Sequence, residues 1–206
     1  MVIPFIIAAA VGYLLGSIPF ALIIGKVFFK TDIRNHGSGN LGGGNAGRVL
    51  GKGAGLSVMT LDILKFTLAI FIASLLHDSQ EIMILAGLFA AVGHCFPVFA
   101  RFKGGKAVAT MYGFLFGMTV VAHRSPLLFL LPLAVFLIII LITRIIAISS
   151  IGSALAVTVY AAFFENSPAL FVSLCIFSVL IIVRHRANII RMIRGEENKV
   201  SWIKRK

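Results

Sequence analysis

Acidic side chains are scarce in this chain: seven Asp and Glu stand against nineteen Lys and Arg in 206 residues. No carboxylates cluster as divalent-metal ligands would, so no metal or other cofactor is expected. Cysteine is scarcer still. Cys95 and Cys175 each lie inside an apolar run, as free packed thiols do, and two Cys at that spacing make neither a disulfide nor a metal motif. The N-terminus has no basic segment and no small-residue cleavage site, so Met1 onward reads as a retained first span. No internal repeat is evident. Charged residues are only 13% of the chain, and 59% is hydrophobic, with a mean hydropathy of +1.04. No soluble domain of this size could hide so much apolar surface. Its apolar runs recur at roughly the length that crosses about 30 Å of hydrocarbon.

The sequence therefore predicts an all-α polytopic membrane protein, one integral-membrane domain over residues 1–206. Seven transmembrane helices are expected: 2–29, 54–76, 82–100, 107–122, 127–143, 145–164 and 169–183. In the first, Gly12 and Gly16 are four apart and would let another helix approach, and Pro19 should kink it. With seven spans, 17 of the 19 basic residues fall on one side; Lys65 is within a span and Arg124 is on the far side. The positive-inside rule makes that side cytoplasmic, with the N-terminus outside and the C-terminus inside. The net charge of +12 is then a membrane-face property, set against anionic lipid or an anionic substrate, and no nucleic-acid partner is expected.

Four polar segments reach that face. The first is His36-Gly-Ser-Gly-Asn-Leu-Gly-Gly-Gly-Asn-Ala-Gly-Arg48, with six Gly in thirteen residues. Successive N–H groups of such a loop can form an anion-binding concavity. Ser38, Asn40 and Asn45 add neutral donors, and Arg48 a planar fork suited to phosphate. A plain hinge between helices is the competing reading. The second segment, Arg101-Phe-Lys-Gly-Gly-Lys106, sets Gly104 and Gly105 between Lys103 and Lys106, as a phosphate-cradling turn would. It lacks the spacing of a P-loop. The third holds Arg144, Ser149 and Ser150. The fourth holds His185, Asn188 and Arg191 at intervals of three, which also suits an interfacial amphipathic helix. His94, taken alone, reads as a helix-packing histidine. Asp62 and Lys65 share a helical face and should avoid lipid; a mutual structural pair and a direct substrate contact both stay open.

These segments, in this order, resemble the bacterial acyl-phosphate:glycerol-3-phosphate acyltransferases, integral membrane enzymes that make lysophosphatidate. The family's Ser-Gly-Asn-x-Gly-Ala-Thr-Asn is similar to Ser38-Gly-Asn-Leu-Gly-Gly-Gly-Asn45. Its His-x-Phe-Pro and Phe-Lys-Gly-Gly-Lys block matches His94 to Pro97 and Phe102 to Lys106. Its Arg-His-x-x-Asn-Ile-x-Arg and Gly-x-Glu block matches Arg184 to Arg191 and Gly195 to Glu197. The family's Ala-Thr is Gly43-Gly44 here, which puts a hydroxyl role at position 44 in doubt and suggests a looser loop.

The resemblance implies metal-independent transfer of a fatty acyl group from acyl phosphate to the 1-hydroxyl of glycerol 3-phosphate, without an acyl-enzyme. Ser38, Asn40 and Asn45, with Gly39, Gly42 and Gly43, would bind the acyl-phosphate head and polarise its carbonyl. Arg48, His94, Lys103, Gly104, Gly105, Lys106, Ser149 and Ser150 would bind glycerol 3-phosphate and the leaving phosphate. His185, Asn188 and Arg191 would orient phosphate, with His185 a proton shuttle. A monomer in the bacterial inner membrane, with its site facing the cytoplasm, is the implied setting. The His-x4-Asp signature of other glycerol-phosphate acyltransferases is absent, since Phe99 and Ile190 stand five past His94 and His185. A phosphate or organophosphate transporter is the alternative. It would want broken helices meeting at the midplane and repeated halves. A metal-dependent lipid phosphotransferase would need more Asp than Asp32 and Asp62 supply.

Overall fold

A computed structural model describes residues 2–200. Lys204, Arg205 and Lys206, three of the 17 basic residues counted above, lie outside the described residues, as does Met1. Ten α-helices and two short 3-10 turns make up the regular structure of the described residues, with no strand among them. The chain divides into two units, Met1–Arg124 and Ser125–Lys206.

In the first unit, α1 (Val2–Gly16) stops at Ser17-Ile18-Pro19, and α2 (Phe20–Phe29) resumes after it. Pro19 has no N–H to give the helix, so the break falls where the sequence predicts a kink. Gly12 and Gly16 lie against the backbone of Ala86 and Ala90 on α5 (Gln80–Cys95), where any Cβ would strike the Ala86 and Ala90 carbonyls. The small residues thus set the contact between α1 and α5. A seven-residue helix, α3 (Gly43–Val49), precedes the long α4 (Lys52–Leu76) and rests on it through Gly43, Gly47 and Gly55. α6 (Val108–Val120) completes the unit, with Gly113 against Ile63 and Phe66 of α4.

The second unit is α7 (Leu127–Thr143), α8 (Ile146–Phe164), α9 (Pro168–Arg184) and α10 (Arg186–Ile193). α7 packs on α8 and α8 on α9. α10 turns 58° from α9 at His185.

Large apolar side chains such as Phe28, Leu75 and Phe163 stand at least 70% exposed. Lipid, not water, is the solvent that suits them. Val2–Phe29 with its bend, Lys52–Leu76, Gln80–Ala100 and Ile146–Phe164 are long and apolar enough to cross a membrane, and α9 with α10 makes a fifth if counted as one bent span. α6 and α7 are shorter. At 1.5 Å per residue α6 reaches only roughly 20 Å. The expected boundaries of α7 agree with the structure. The glycine-rich stretch differs from expectation: it is not a loop throughout, because helix begins at Gly43 and carries Asn45 and Arg48.

Candidate active site

The glycine stretch is built from its acidic neighbour outward. Asp32 caps the turn Ile33–Asn35, accepting from the Arg34 N–H at 3.1 Å and from its Nε and Nη2 at 2.9 and 2.6 Å. Those Arg34 bonds, with Lys26 at 3.5 Å, hold the Asp32 carboxyl well below the usual carboxylate range. Beyond the turn, Asn45 reaches back from α3. Its Oδ1 accepts the Ser38 N–H at 2.8 Å, and its Nδ2 donates to the carbonyls of His36 (3.1 Å) and Ile33 (3.3 Å). Gly37 has φ +60, and a Cβ there would collide with Asn45 Oδ1, so this position needs glycine twice over. The result is a stapled loop with Ser38 and Arg48 exposed and Asn40 half-buried, while Asn45 is only 2% exposed. Asn45, expected to touch substrate, has its amide committed to the loop. Gly39 and Gly42 are half-buried, and Gly43 is pressed against Gly55 and Met59. A Cβ at Gly44 would meet nothing within 4 Å, so the missing Thr leaves space and not a slack loop.

The second basic segment is a tight turn after α5. Arg101, Phe102 and Ala107 all adopt positive φ. Non-glycine residues take that conformation only where surrounding contacts enforce it. Here Phe102 N–H donates to Pro97 O (2.9 Å), Lys103 N–H to Ala100 O (3.2 Å) and Gly105 N–H to His94 O (2.9 Å). Gly104 and Gly105 are buried against His94: a Cβ at Gly104 would strike the His94 carbonyl, and one at Gly105 its ring. Lys103 is exposed and Lys106 half-buried, at the foot of α6. Gly105, expected among the substrate-binding residues, has its N–H committed to His94 O. His94 is buried, with Nδ1 3.3 Å from Lys65 Nζ and its ring edge-on to Phe66.

In the second unit, Ser149 and Ser150 are fully buried, and their hydroxyls donate to Ile145 O and Ile146 O, both at 2.8 Å. His185 is 2% exposed. A carbonyl only accepts, so the 2.8 Å contact with Ile181 O places a hydrogen on Nδ1 and makes Nε2 an acceptor in the neutral ring. Asn188 Nδ2 donates to Glu197 Oε1 at 2.6 Å, and Arg191 Nε to Glu197 Oε2 at 2.8 Å. Val200 N–H donates to Arg144 O at 2.8 Å. Glu197 was not foreseen as an anchor. The chain reverses at Gly195 (φ +73) before it reaches Asn188 and Arg191, and helical spacing carries no trace of that reversal. Among the described residues, no three His, Cys, Asp or Glu side chains gather as metal ligands would.

The glycerol-3-phosphate acyltransferase family model matches residues 6–195. The chain belongs to that family. A glycerol-3-phosphate acyltransferase of Geobacillus kaustophilus is 47% identical over 190 residues, covering 92% of this chain and 93% of its own length. One of Bacillus subtilis is 46% identical, covering 93% and 95%. The crystal structure of PlsY (YgiH), an integral membrane glycerol 3-phosphate acyltransferase in its glycerol 3-phosphate form, is 35% identical, covers 96% of each chain and has a TM-score of 0.87. Its lysophosphatidic acid form scores 0.84 at 34% identity. As a member of this family the chain is a multi-pass helical membrane protein and an acyltransferase, and the transporter alternative falls away.

Proposed function

We propose that the chain transfers a fatty acyl group from acyl phosphate to the 1-hydroxyl of glycerol 3-phosphate. The hydroxyl oxygen attacks the acyl carbonyl, the carbonyl–oxygen bond to phosphate breaks, and lysophosphatidate and inorganic phosphate result. The leaving phosphate takes the hydroxyl proton, directly or through His185 Nε2. Ser38 and Asn40 face the acyl-phosphate head, and Arg48 holds the leaving phosphate. Lys103 and Lys106 receive the phosphate of glycerol 3-phosphate. Asn45, Ser149 and Ser150 act by holding backbone, and Asn188 and Arg191 orient phosphate as a pair anchored on Glu197. Preorganised donors of this kind are each worth about 10²–10³ in rate, and holding the hydroxyl in line adds more.

Acyl phosphate as donor, the seven spans, the cytoplasmic site, the inner-membrane location, the single domain and the monomer belong to this proposal. The seven spans would be the bent α1–α2, then α4 to α9. The Lys103-Gly-Gly-Lys106 turn, tight and basic in a chain of this family, is the observation that carries the phosphate chemistry. Purified protein given acyl phosphate and glycerol 3-phosphate without added metal should release phosphate and form lysophosphatidate. Acyl-CoA should give no product. Product from acyl-CoA alone would overturn the donor assignment. Lys106→Ala should lower kcat/KM by about 10²–10³.

A further inference from the structure

Inside the first unit lies a charged group that the reaction above does not use. Lys65 and Asp62 on α4 are 3% and 2% exposed in their side chains, and Lys65 Nζ is 2.7 Å from Asp62 Oδ1. A buried pair of this kind is a weak source of stability, since desolvation offsets much of the attraction. Its other contacts say more. Nζ donates to Ile18 O at 2.8 Å, the carbonyl at the break between α1 and α2. It lies 3.3 Å from His94 Nδ1 and 5.5 and 5.4 Å from the ring centres of Phe20 and Phe66. A lysine ammonium has three hydrogens and no acceptor. Asp62 Oδ1, Ile18 O and His94 Nδ1 take all three.

That inventory fixes the histidine. Asp62 Oδ1 also faces Nδ1 but at 3.8 Å, beyond hydrogen-bond distance, so the ammonium at 3.3 Å is the nearer partner; against that donor Nδ1 is the acceptor and the ring hydrogen sits on Nε2. Nε2 is the ring atom nearest the space a Cβ on Gly105 would occupy. The same residue's carbonyl accepts the Gly105 N–H at 2.9 Å. His94 thus holds Gly105 from two sides, with main chain and ring, and Lys65 holds the ring.

Resting on the proposed function, we propose that Lys65, held in place by Asp62, is a positioning residue: it fixes His94 as the Nε2–H tautomer and so sets the Lys103-Gly-Gly-Lys106 turn for the phosphate of glycerol 3-phosphate. The charged groups that face the ring from α4 are Lys65, at 3.3 Å from Nδ1, and Asp62, at 3.8 Å.

Ring nitrogen NMR on the wild-type protein with labelled histidine, assigned through His94→Gln, tests the first half without any reaction. The expected spectrum has Nε2 protonated and Nδ1 bare. A protonated Nδ1 overturns the proposal. Lys65→Met tests the second half. It should shift the His94 signals away from the Nε2–H pattern and raise KM for glycerol 3-phosphate at least tenfold, with kcat within about threefold. Lys65→Arg, which keeps a donor, should restore most of the KM. An unchanged KM with a changed tautomer overturns the positioning role. Where Lys65→Met does not fold, the doubly neutral Asp62→Asn/Lys65→Met protein carries the same test. A wild type that transfers no acyl group, yet shows the Nε2–H ring, would sink the proposed function and leave the tautomer assignment standing.

Discussion

Two glycine-rich segments of the first unit, both proposed to meet a phosphate, are braced differently. The Ser38 loop is exposed and held by one neutral amide, Asn45, that bonds three backbone groups. The Lys103-Gly-Gly-Lys106 turn is held from beneath by a buried imidazole, itself held by a buried ion pair. An amide staple can be lost with little effect beyond its own loop. The turn's support also touches the break in the first span and two aromatic rings, so damage there spreads. The difference suits the proposed substrates. A mobile acyl-phosphate head, arriving from lipid, needs an adaptable loop. A small phosphate from the aqueous side needs a rigid seat.

The sharpest way to break this contrast is Gly105→Ala. Its Cβ would collide with the His94 ring, and such overpacking typically costs about 1–3 kcal/mol. Expected are a lower midpoint of thermal unfolding and a rise in KM for glycerol 3-phosphate of about tenfold or more, the factor that each 1.4 kcal/mol of lost binding represents. Asn45→Ala comes next. It leaves the Ser38 N–H without its partner and takes one donor from the His36 and Ile33 carbonyls, which still accept the Gly39 and His36 N–H, so the cost should be about 1 kcal/mol. Proteolysis within the 36–44 loop should speed up, and KM for acyl phosphate should rise. Asn45→Asp keeps the acceptor for Ser38 N–H but sets a buried carboxylate oxygen against the His36 and Ile33 carbonyls, so it should cost at least as much as Asn45→Ala.

Smaller effects sharpen the boundary of each segment. Asp32, with its carboxyl held low by Arg34, stabilises the folded loop at every pH above its unfolded value of about 3.9. That contribution is lost only as pH falls further, through the folded value. Asp32 is partly exposed, so the effect is small. The stability difference between wild type and Asp32→Asn should be constant from pH 7 to 5 and shrink below 4. Gly44→Ala should do least. Nothing lies within 4 Å of its Cβ position, and the stability change should stay within about 0.5 kcal/mol of zero, or favour the variant by up to about 1 as helix propensity predicts.

The helices were legible because apolar length and breakers are local signals. Leu127–Thr143 is bounded by Pro126 and Arg144, and the kink at Pro19 announces itself. Which segments are candidates for handling phosphate was legible from residue type. What those side chains do was not. Asn45 looks like a ligand for substrate until its three backbone partners are seen. Lys65 and His94 are 29 residues apart, and no spacing rule links a mid-helix lysine to a histidine at the end of the next span. Glu197 reaches Asn188 and Arg191 only through a reversal that periodicity cannot express. Even the start of α3 was hidden, because Gly43 and Gly44 argue for loop while contact with Gly55 and Met59 favours helix.

In the proposed function the two segments serve different substrates, the loop the acyl-phosphate head and the turn glycerol 3-phosphate. The most direct test is a paired KM measurement on Asn45→Ala and Lys65→Met, varying each substrate with the other saturating. A crossed result is expected: Asn45→Ala raises KM for acyl phosphate and leaves that for glycerol 3-phosphate nearly unchanged, and Lys65→Met does the reverse. Equal rises in both constants for either variant would contradict it.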